Sequence, residues 1–407
     1  MKRTLFITVA LLITAFLCIQ AVSAYSYSDY TAAIIKTADR LVDLQADITE
    51  DNAGNGAIDT DPDDGGWDWY LDSTATAYAG AGPSPENLYG VTAQAILEAY
   101  KISACACYLT AMIDAYTGAN GYPTVDSGPD MPFLVGLSQI TGNSAYAALA
   151  KTRYDTKVAS YGDYNLDTVV DEKDLAEKIR DARNSQGYDG LIPWDINLFI
   201  KAALALNTYY PGQGYNQDAL NMTNIIYADM TGSPGYFDPG DSTDDDYILG
   251  LSGGMEAFVS TGTHLTGTTS AESLKNTLLS YQEPTGEWNS PTYPADHIAT
   301  VQDTAYAVMA LVKYGGAPQI LAAKKGAEWL IADQQPNGGW SGSDEYPEVD
   351  SEAAQALSAA KCAPVGGVWG SIDKFGLLAP WIGLVAITVS AATVSVAITK
   401  RRNKKQN

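Results

Sequence analysis

The chain has 407 residues, with 48 acidic and 24 basic side chains and a net charge of −24. Such an excess of acid argues against nucleic acid as a partner, because phosphate binding needs clustered Lys and Arg. Apolar residues make up 46% of the chain and charged residues only 18%, which excludes an acidic coil and calls for a packed core.

Met1-Lys2-Arg3, an apolar run from Leu5 to Ile19 and the small residues Ala21-Val22-Ser23-Ala24 read as a secretory signal peptide over 1–24. Twelve helical segments follow, in pairs. The first of each pair covers 28–47, 103–116, 144–159, 216–230, 269–282 and 318–334. These are amphipathic, as Ile320, Ala323, Ala327, Leu330 and Ile331 show at helical spacing, with Lys324, Lys325 and Glu328 on the other face. The second of each pair covers 87–101, 131–141, 194–209, 246–261, 300–314 and 349–360. These are rich in Ala, Gly and Leu and apolar all round, so they are buried on more than one side. Amphipathic outer helices around buried inner helices predict an all-α fold: an α6/α6 toroid of helical hairpins over 25–362.

Between 161 and 184 the pairing is interrupted. Asp163, Asn165, Asp167, Val169, Asp171 and Asp174 fall at positions one, three, five, seven, nine and twelve of an EF-hand loop, Val169 through its carbonyl. This oxygen set suits Ca²⁺. The stretch resembles one half of a type I dockerin, with Thr168 where Gly is usual and without a second copy. A structural calcium that orders an insertion is expected; a plain acidic loop capped by Asp171 is the alternative. After a juxtamembrane linker at 363–375, residues 376–399 carry no charge and precede the basic tail 400–407. That pattern predicts one membrane-spanning helix, with the body outside and the tail in the cytoplasm.

Cys105 and Cys107 lie two apart on an expected helix and point different ways, so no disulfide between them is expected. Asn221-Met222-Thr223 matches a glycosylation acceptor.

One phrase recurs. Gln282-Glu283-Pro284-Thr285-Gly286-Glu287-Trp288 and Gln334-Gln335-Pro336-Asn337-Gly338-Gly339-Trp340 share Gln-x-x-x-Gly-x-Trp, each before an Ala-rich helix. Gly65-Gly66-Trp67, Asp189-Gly190 with Trp194, and Gly235-Tyr236-Phe237 are weaker copies. The glycines permit left-handed backbone, the Trp fills the gap between hairpins, and the Gln can serve orphan helix carbonyls. With Asp303-Thr304-Ala305 opening the next helix, these turns resemble the repeats of the squalene/terpenoid cyclase and protein prenyltransferase superfamily, which implies the toroid. The chemistry of that superfamily does not carry over. Its cyclases use Asp-x-Asp-Asp-Thr-Ala, where this chain has Val301-Gln302 before Asp303 and keeps only the last acid. Asp61-Pro62-Asp63-Asp64 falls in a loop and reads as a solvated acidic segment or an ion site. The zinc of the prenyltransferases needs Asp, Cys and His ligands, and the two histidines here, His264 and His297, join no such set.

In a toroid all inner-helix starts face one mouth. Asp195, Asp244, Asp245, Asp246, Asp303, Asp350 and Glu352 would form a ring of carboxylates there, with His297 nearby, framed by Trp67, Trp69, Trp194, Phe237, Trp288 and Trp340. Carboxylates beside aromatics suit a glycan or a basic peptide. The sequence therefore reads first as a membrane-anchored, extracellular binding or scaffold protein of archaeal envelope type, without catalysis. The rival reading is an extracellular glycan-active lyase or hydrolase, and an isoprenoid cyclase follows it.

Overall fold

The computed structural model describes residues 25–45, 65–67, 71–72, 89–121, 128–232, 235–244, 246–340 and 344–363. The chain divides into two compact units, Met1–Val365 and Gly366–Asn407, and every described residue belongs to the first. The signal peptide, Asp61-Pro62-Asp63-Asp64, Trp69, Asp245, the membrane helix and the basic tail lie outside the described residues. Among the described residues no helix is long and apolar enough to cross a membrane.

The described helices are α1 Tyr27–Asp43, α2 Gly90–Ser103, α3 Ala106–Gly121, α4 Asp130–Thr141, α5 Ser144–Ser160, α6 Glu172–Gln186, α7 Leu191–Tyr209, α8 Tyr215–Thr231, α9 Tyr247–Thr261, α10 Ala271–Ser280, α11 His297–Tyr314, α12 Ala317–Asp333 and α13 Pro347–Cys362. Two short strands, Leu71–Asp72 and Asp344–Glu345, pair antiparallel. All twelve predicted segments are helices, displaced by a few residues at their ends.

The starts follow from local chemistry. Ser26 and Asp29 close a capping box on α1, and Asp296 accepts from the N–H groups of Ile298 and Ala299 to open α11. Prolines in the first turns of α12 and α13 sit where no N–H is needed. Along α1 the buried positions Tyr30, Ala33, Ile34, Thr37, Ala38 and Leu41 recur at helical spacing, an amphipathic outer helix. In α9 every residue from Tyr247 to Phe258 is buried, as an inner helix requires.

The helices close into a circle. α2 packs on α4, α4 on α7, α7 on α9, α9 on α11, α11 on α13, and α13 back on α2. These six form the inner ring, and α1, α3, α5, α8, α10 and α12 lie outside it. α6 is the insertion, packed on α5, α7 and α8. This is an α/α toroid, the fold the sequence predicts.

The repeated phrase holds neighbouring hairpins together. The indole N–H groups of Trp67, Trp288 and Trp340 donate to the carbonyls of Leu41, Leu278 and Leu330, each at 2.7 Å, in the last turn of the preceding outer helix. Trp, not Gln, therefore serves the orphan helix carbonyls. Each Gln bridges instead. Gln282 Nε2 reaches the Gly286 carbonyl of its own turn and the Ala322 carbonyl of the next outer helix. Gln334 Nε2 does the same with Gly338 and Ala33, and Gln45 Nε2 with Gly65 and Ala111. Gly286 and Gly338 have φ of 125° and 110°, and a Cβ at either would meet a backbone carbonyl of the next outer helix, Lys325 or Lys36, at 2.5 Å. Only glycine allows that approach.

The structure corrects two local expectations. Cys105 and Cys107 form a disulfide. α2 ends at Ser103, Ala104 turns left-handed at φ 52°, and α3 begins at Ala106, so Cys105 lies in a turn and not on a helix. Asn221 lies within α8, where its amide donates to Glu172 at 2.6 Å, and Thr223 is fully buried and donates to Ala219. The acceptor triplet is spent on helix packing.

Candidate functional site

The predicted mouth residues separate into different jobs. Trp67, Trp288 and Trp340 are fully buried wedges with their N–H groups spent on helix carbonyls, and Phe237 is buried with them. None of these four presents a face to a ligand, so they do not frame a mouth. Asp350 accepts from the backbone N–H of Trp340 at 2.9 Å and fixes that turn. His297 donates to the Trp340 carbonyl at 2.8 Å and lies 3.1 Å from the Asp333 carboxylate, instead of joining Asp303. Asp195 accepts from Arg183 of α6 at 2.5 Å; burial pushes its carboxyl up, against the pull of that guanidinium. Burial, with Asp189 close by, pushes Asp244 up to about 6. Asp303 is buried, its Oδ2 makes no hydrogen bond, and burial with the charges of Asp246 and Asp296 holds it well above the usual carboxylate range.

A different constellation lies inside the inner ring. A cavity of about 320 Å³ opens there, lined by residues from all six inner helices or, for Pro129, the residue before one. That volume is at the lower end of the ~300–1,000 Å³ typical of small-molecule sites. Trp194, Asn197, Leu198 and Lys201 recur at helical spacing on α7, and Gln302, Tyr306, Met309 and Lys313 do so on α11, so each helix turns one mixed face inward. Trp194, Leu198, Leu249 and Tyr306 form a small apolar cluster apart from the main core. Trp194 meets Tyr306 edge to face, with ring centroids 5.5 Å apart. Trp194 is thus, among the described residues, the predicted aromatic that lies beside the cavity-lining residues.

Tyr306 and Lys201 each hold a buried glutamate. Glu352 of α13 is 1% exposed and accepts from the Tyr306 hydroxyl at 2.6 Å and from Gln302 Nε2 at 2.9 Å. Burial pushes its carboxyl up to about 7, against those two hydrogen bonds and the charge of Lys201. Burial and the neighbouring Glu352 also drive the Tyr306 phenol well above its ordinary value. Glu256 of α9 lines the cavity, accepts from Asn197 Nδ2 at 2.9 Å and pairs with Lys201 Nζ at 2.7 Å. Tyr306, Lys201 and Glu256 line the cavity, and Glu352 is held by the Tyr306 hydroxyl. A carboxyl that can carry a proton near neutrality is what general acid catalysis uses.

Sequence reasoning named Glu352 only as one of the acids at the helix starts and missed Glu256, Asn197, Lys201 and Tyr306. The available signal was Lys201 and Glu256 inside otherwise apolar inner helices, where a charge must be paired or functional.

In the insertion loop two non-glycine residues take left-handed backbone. Thr168 and Leu166 take φ of 75° and 63°, and the Thr168 N–H donates to Asp163 Oδ2 at 3.1 Å. Asp163 Oδ1 is buried without a hydrogen bond. Asp174 accepts from the N–H groups of Asn165 and Asp171. Asp167 and Asp171 both grip Lys173, at 2.8 and 3.0 Å, so an ammonium stands between two of the expected ligands. Among the described residues no three His, Cys, Asp or Glu side chains are gathered closely enough to hold a metal.

No family model matches the chain, and no curated protein matches it in sequence. Solved structures do match its fold. A possible member of the GH105 family from Klebsiella pneumoniae is 11% identical, covering 84% of this chain and 95% of that one, with a TM-score of 0.53. A possible GH105 member from Salmonella enterica serovar Paratyphi A is also 11% identical, covering 84% and 96%, at 0.52. An unsaturated glucuronyl hydrolase specific for heparin is 10% identical, covering 82% and 96%, at 0.50. These likenesses establish the α/α toroid and nothing finer.

Proposed function

We propose that the chain is a glycan-active hydrolase whose acid and base are Glu352 and Glu256. The observation that carries this is Glu352: a buried carboxyl raised to about 7, hydrogen-bonded to Tyr306 on the wall of the axial cavity. The fold is shared with a glycan hydrolase, which makes glycans the first substrates to test. The cavity wall suits them: Val91, Leu198 and Met309 offer apolar surface to sugar C–H groups, and Gln94, Ser260 and Gln355 offer donors and acceptors to hydroxyls. The Tyr306 hydroxyl, on the cavity wall, gives its proton to the leaving glycosidic oxygen and takes the Glu352 proton in its place. Water attacks the anomeric carbon and yields a proton to Glu256, and exchange with solvent restores both groups. The expected binding bowl loses ground because its aromatic frame is buried.

A screen of neutral and acidic oligosaccharides with the full chain tests the proposal. New reducing ends, abolished in Glu352→Gln, are expected; tight binding of a glycan with no cleavage would return the protein to the binding reading.

The insertion loop is proposed to hold one structural calcium, through Asp163, Asn165, Asp167, Val169, Asp171 and Asp174. The support is the spacing of these residues, the turn closed by the Thr168 N–H on Asp163 and the unpaired Asp163 Oδ1. The ion would take the place of the Lys173 ammonium between Asp167 and Asp171. The apolar runs within 1–24 and at 376–399 support, in the same proposal, a position on the outer face of a membrane.

A further inference from the structure

One cation serves both halves of the axial site. Lys201 Nζ lies 2.7 Å from Glu256 Oε2 and 5.9 Å from the centroid of the Tyr306 ring, whose hydroxyl donates to Glu352 at 2.6 Å. Lys201 is one helical turn beyond Asn197 on α7, and both donate to the same oxygen of Glu256. Glu352 takes its hydrogen bonds from α11 alone, through Tyr306 and Gln302. The other ionisable groups nearby, among the described residues, are Lys313 on α11, which lines the same cavity, Glu348 on α13, whose charge reaches Tyr306, and Glu98 on α2, which Ser358 engages further along α13.

We infer that Lys201 is a positioning residue that holds Glu256 as the carboxylate and leaves the exchangeable proton of the site on Glu352. The inference rests on the acid and base roles proposed above. The two carboxyls differ in what they face. Glu256 has a direct ammonium partner, which favours its charged form. Glu352 meets a phenol and an amide, with the ammonium acting on it only as a more distant charge. Without Lys201, Glu256 would lose its ammonium partner and Glu352 the positive charge that acts on it, and the site would hold its protons to higher pH.

Carbon-13 NMR of glutamate-labelled full chain reads this without any substrate. In Lys201→Met the Glu352 titration should move upward by about one pH unit, the low end for loss of a nearby opposite charge. Lys201→Arg should restore it. In the glycan assay the alkaline limb of the pH–rate profile, which the general acid sets, should move with it, while KM changes little. If Lys201→Met does not fold, Lys201→Gln carries the same test. An unmoved Glu352 titration in a folded variant overturns the inference and leaves Lys201 as a structural ion-pair partner. Absence of glycan cleavage by the unaltered chain would instead sink the hydrolase proposal and leave the titration result standing.

Discussion

Gln334 at the end of the last outer helix donates to the carbonyl of Ala33 in the first, 301 residues away in sequence, at 3.0 Å. Gln282 makes the same bond to Ala322 one hairpin earlier, at 2.9 Å. The joint that links neighbours thus also closes the ring. Gln334→Ala should leave the Ala33 and Gly338 carbonyls and the Thr37 hydroxyl short of a donor, at a cost of about 1–3 kcal/mol. Denaturant unfolding measures that loss. Deuterium exchange adds the decisive point: amides of α1 should exchange faster, although the altered residue follows α12. Unchanged exchange in α1 would mean that the circle does not close there.

The tryptophan wedges make a paired prediction. Trp288→Phe and Trp340→Phe keep most of the apolar volume and remove the N–H that serves Leu278 or Leu330. Each should cost roughly 1–3 kcal/mol for the buried carbonyl left short of a donor. Neither should alter glycan affinity, because both rings are fully buried. A changed affinity with unchanged stability would restore them to the ligand site.

The fold was legible because hairpin periodicity and the two complete turns specify it twice over, through burial pattern and through spacing. The third complete joint was hidden. Gln45 bonds Gly65 as Gln334 bonds Gly338, yet 20 residues separate the first pair and four the second, so the phrase cannot be read along the chain. The candidate site was less legible for a different reason. Acids at helix starts stand out in sequence, but capping, ion pairing and turn fixing account for Asp350 and Asp195. Glu256, Lys201 and Tyr306 gain meaning only when α7, α9 and α11 meet on one axis, and no local pattern states which faces of three inner helices will converge. Cys105 shows the limit at short range: the helix break at Ala104 decides its pairing, and nothing in the residue types announces that break.

The insertion loop offers a prediction that stands apart from catalysis. Isothermal titration of the full chain with calcium should show one site, and Asp163→Ala combined with Asp167→Ala should abolish it. Chelation should lower the melting temperature of the unaltered protein and leave the double variant unmoved, since a ligand bound only by the folded state stabilises it by mass action. The Lys173 contacts to Asp167 and Asp171 supply a second check. Lys173→Ala removes the competing ammonium and should tighten calcium binding. No heat of binding in any of these would end the calcium proposal.

Glu352 sets a pH dependence whose sign can be worked out. Its folded carboxyl titrates near 7 and its ordinary value is 4.5, so the folded state holds this proton after the unfolded chain has released it. The stability linked to that proton is complete below about 4.5 and is lost as the pH rises through about 7. At 1.36 kcal/mol per unit, a shift of that size corresponds to roughly 3 kcal/mol. Asp218, Asp229 and Asp244, each raised to about 6, act in the same direction, so the whole protein should weaken between acid and neutral pH. Glu352→Gln isolates one contribution. The amide oxygen still accepts from Tyr306, but nothing remains to ionise, so the variant should lose less stability than the parent between these limits, by an amount of that order. Denaturant unfolding at several pH values measures both slopes. Parallel curves would show that Glu352 ionises as freely in the folded protein as in the unfolded chain, and would remove the proton that the proposed hydrolysis depends on.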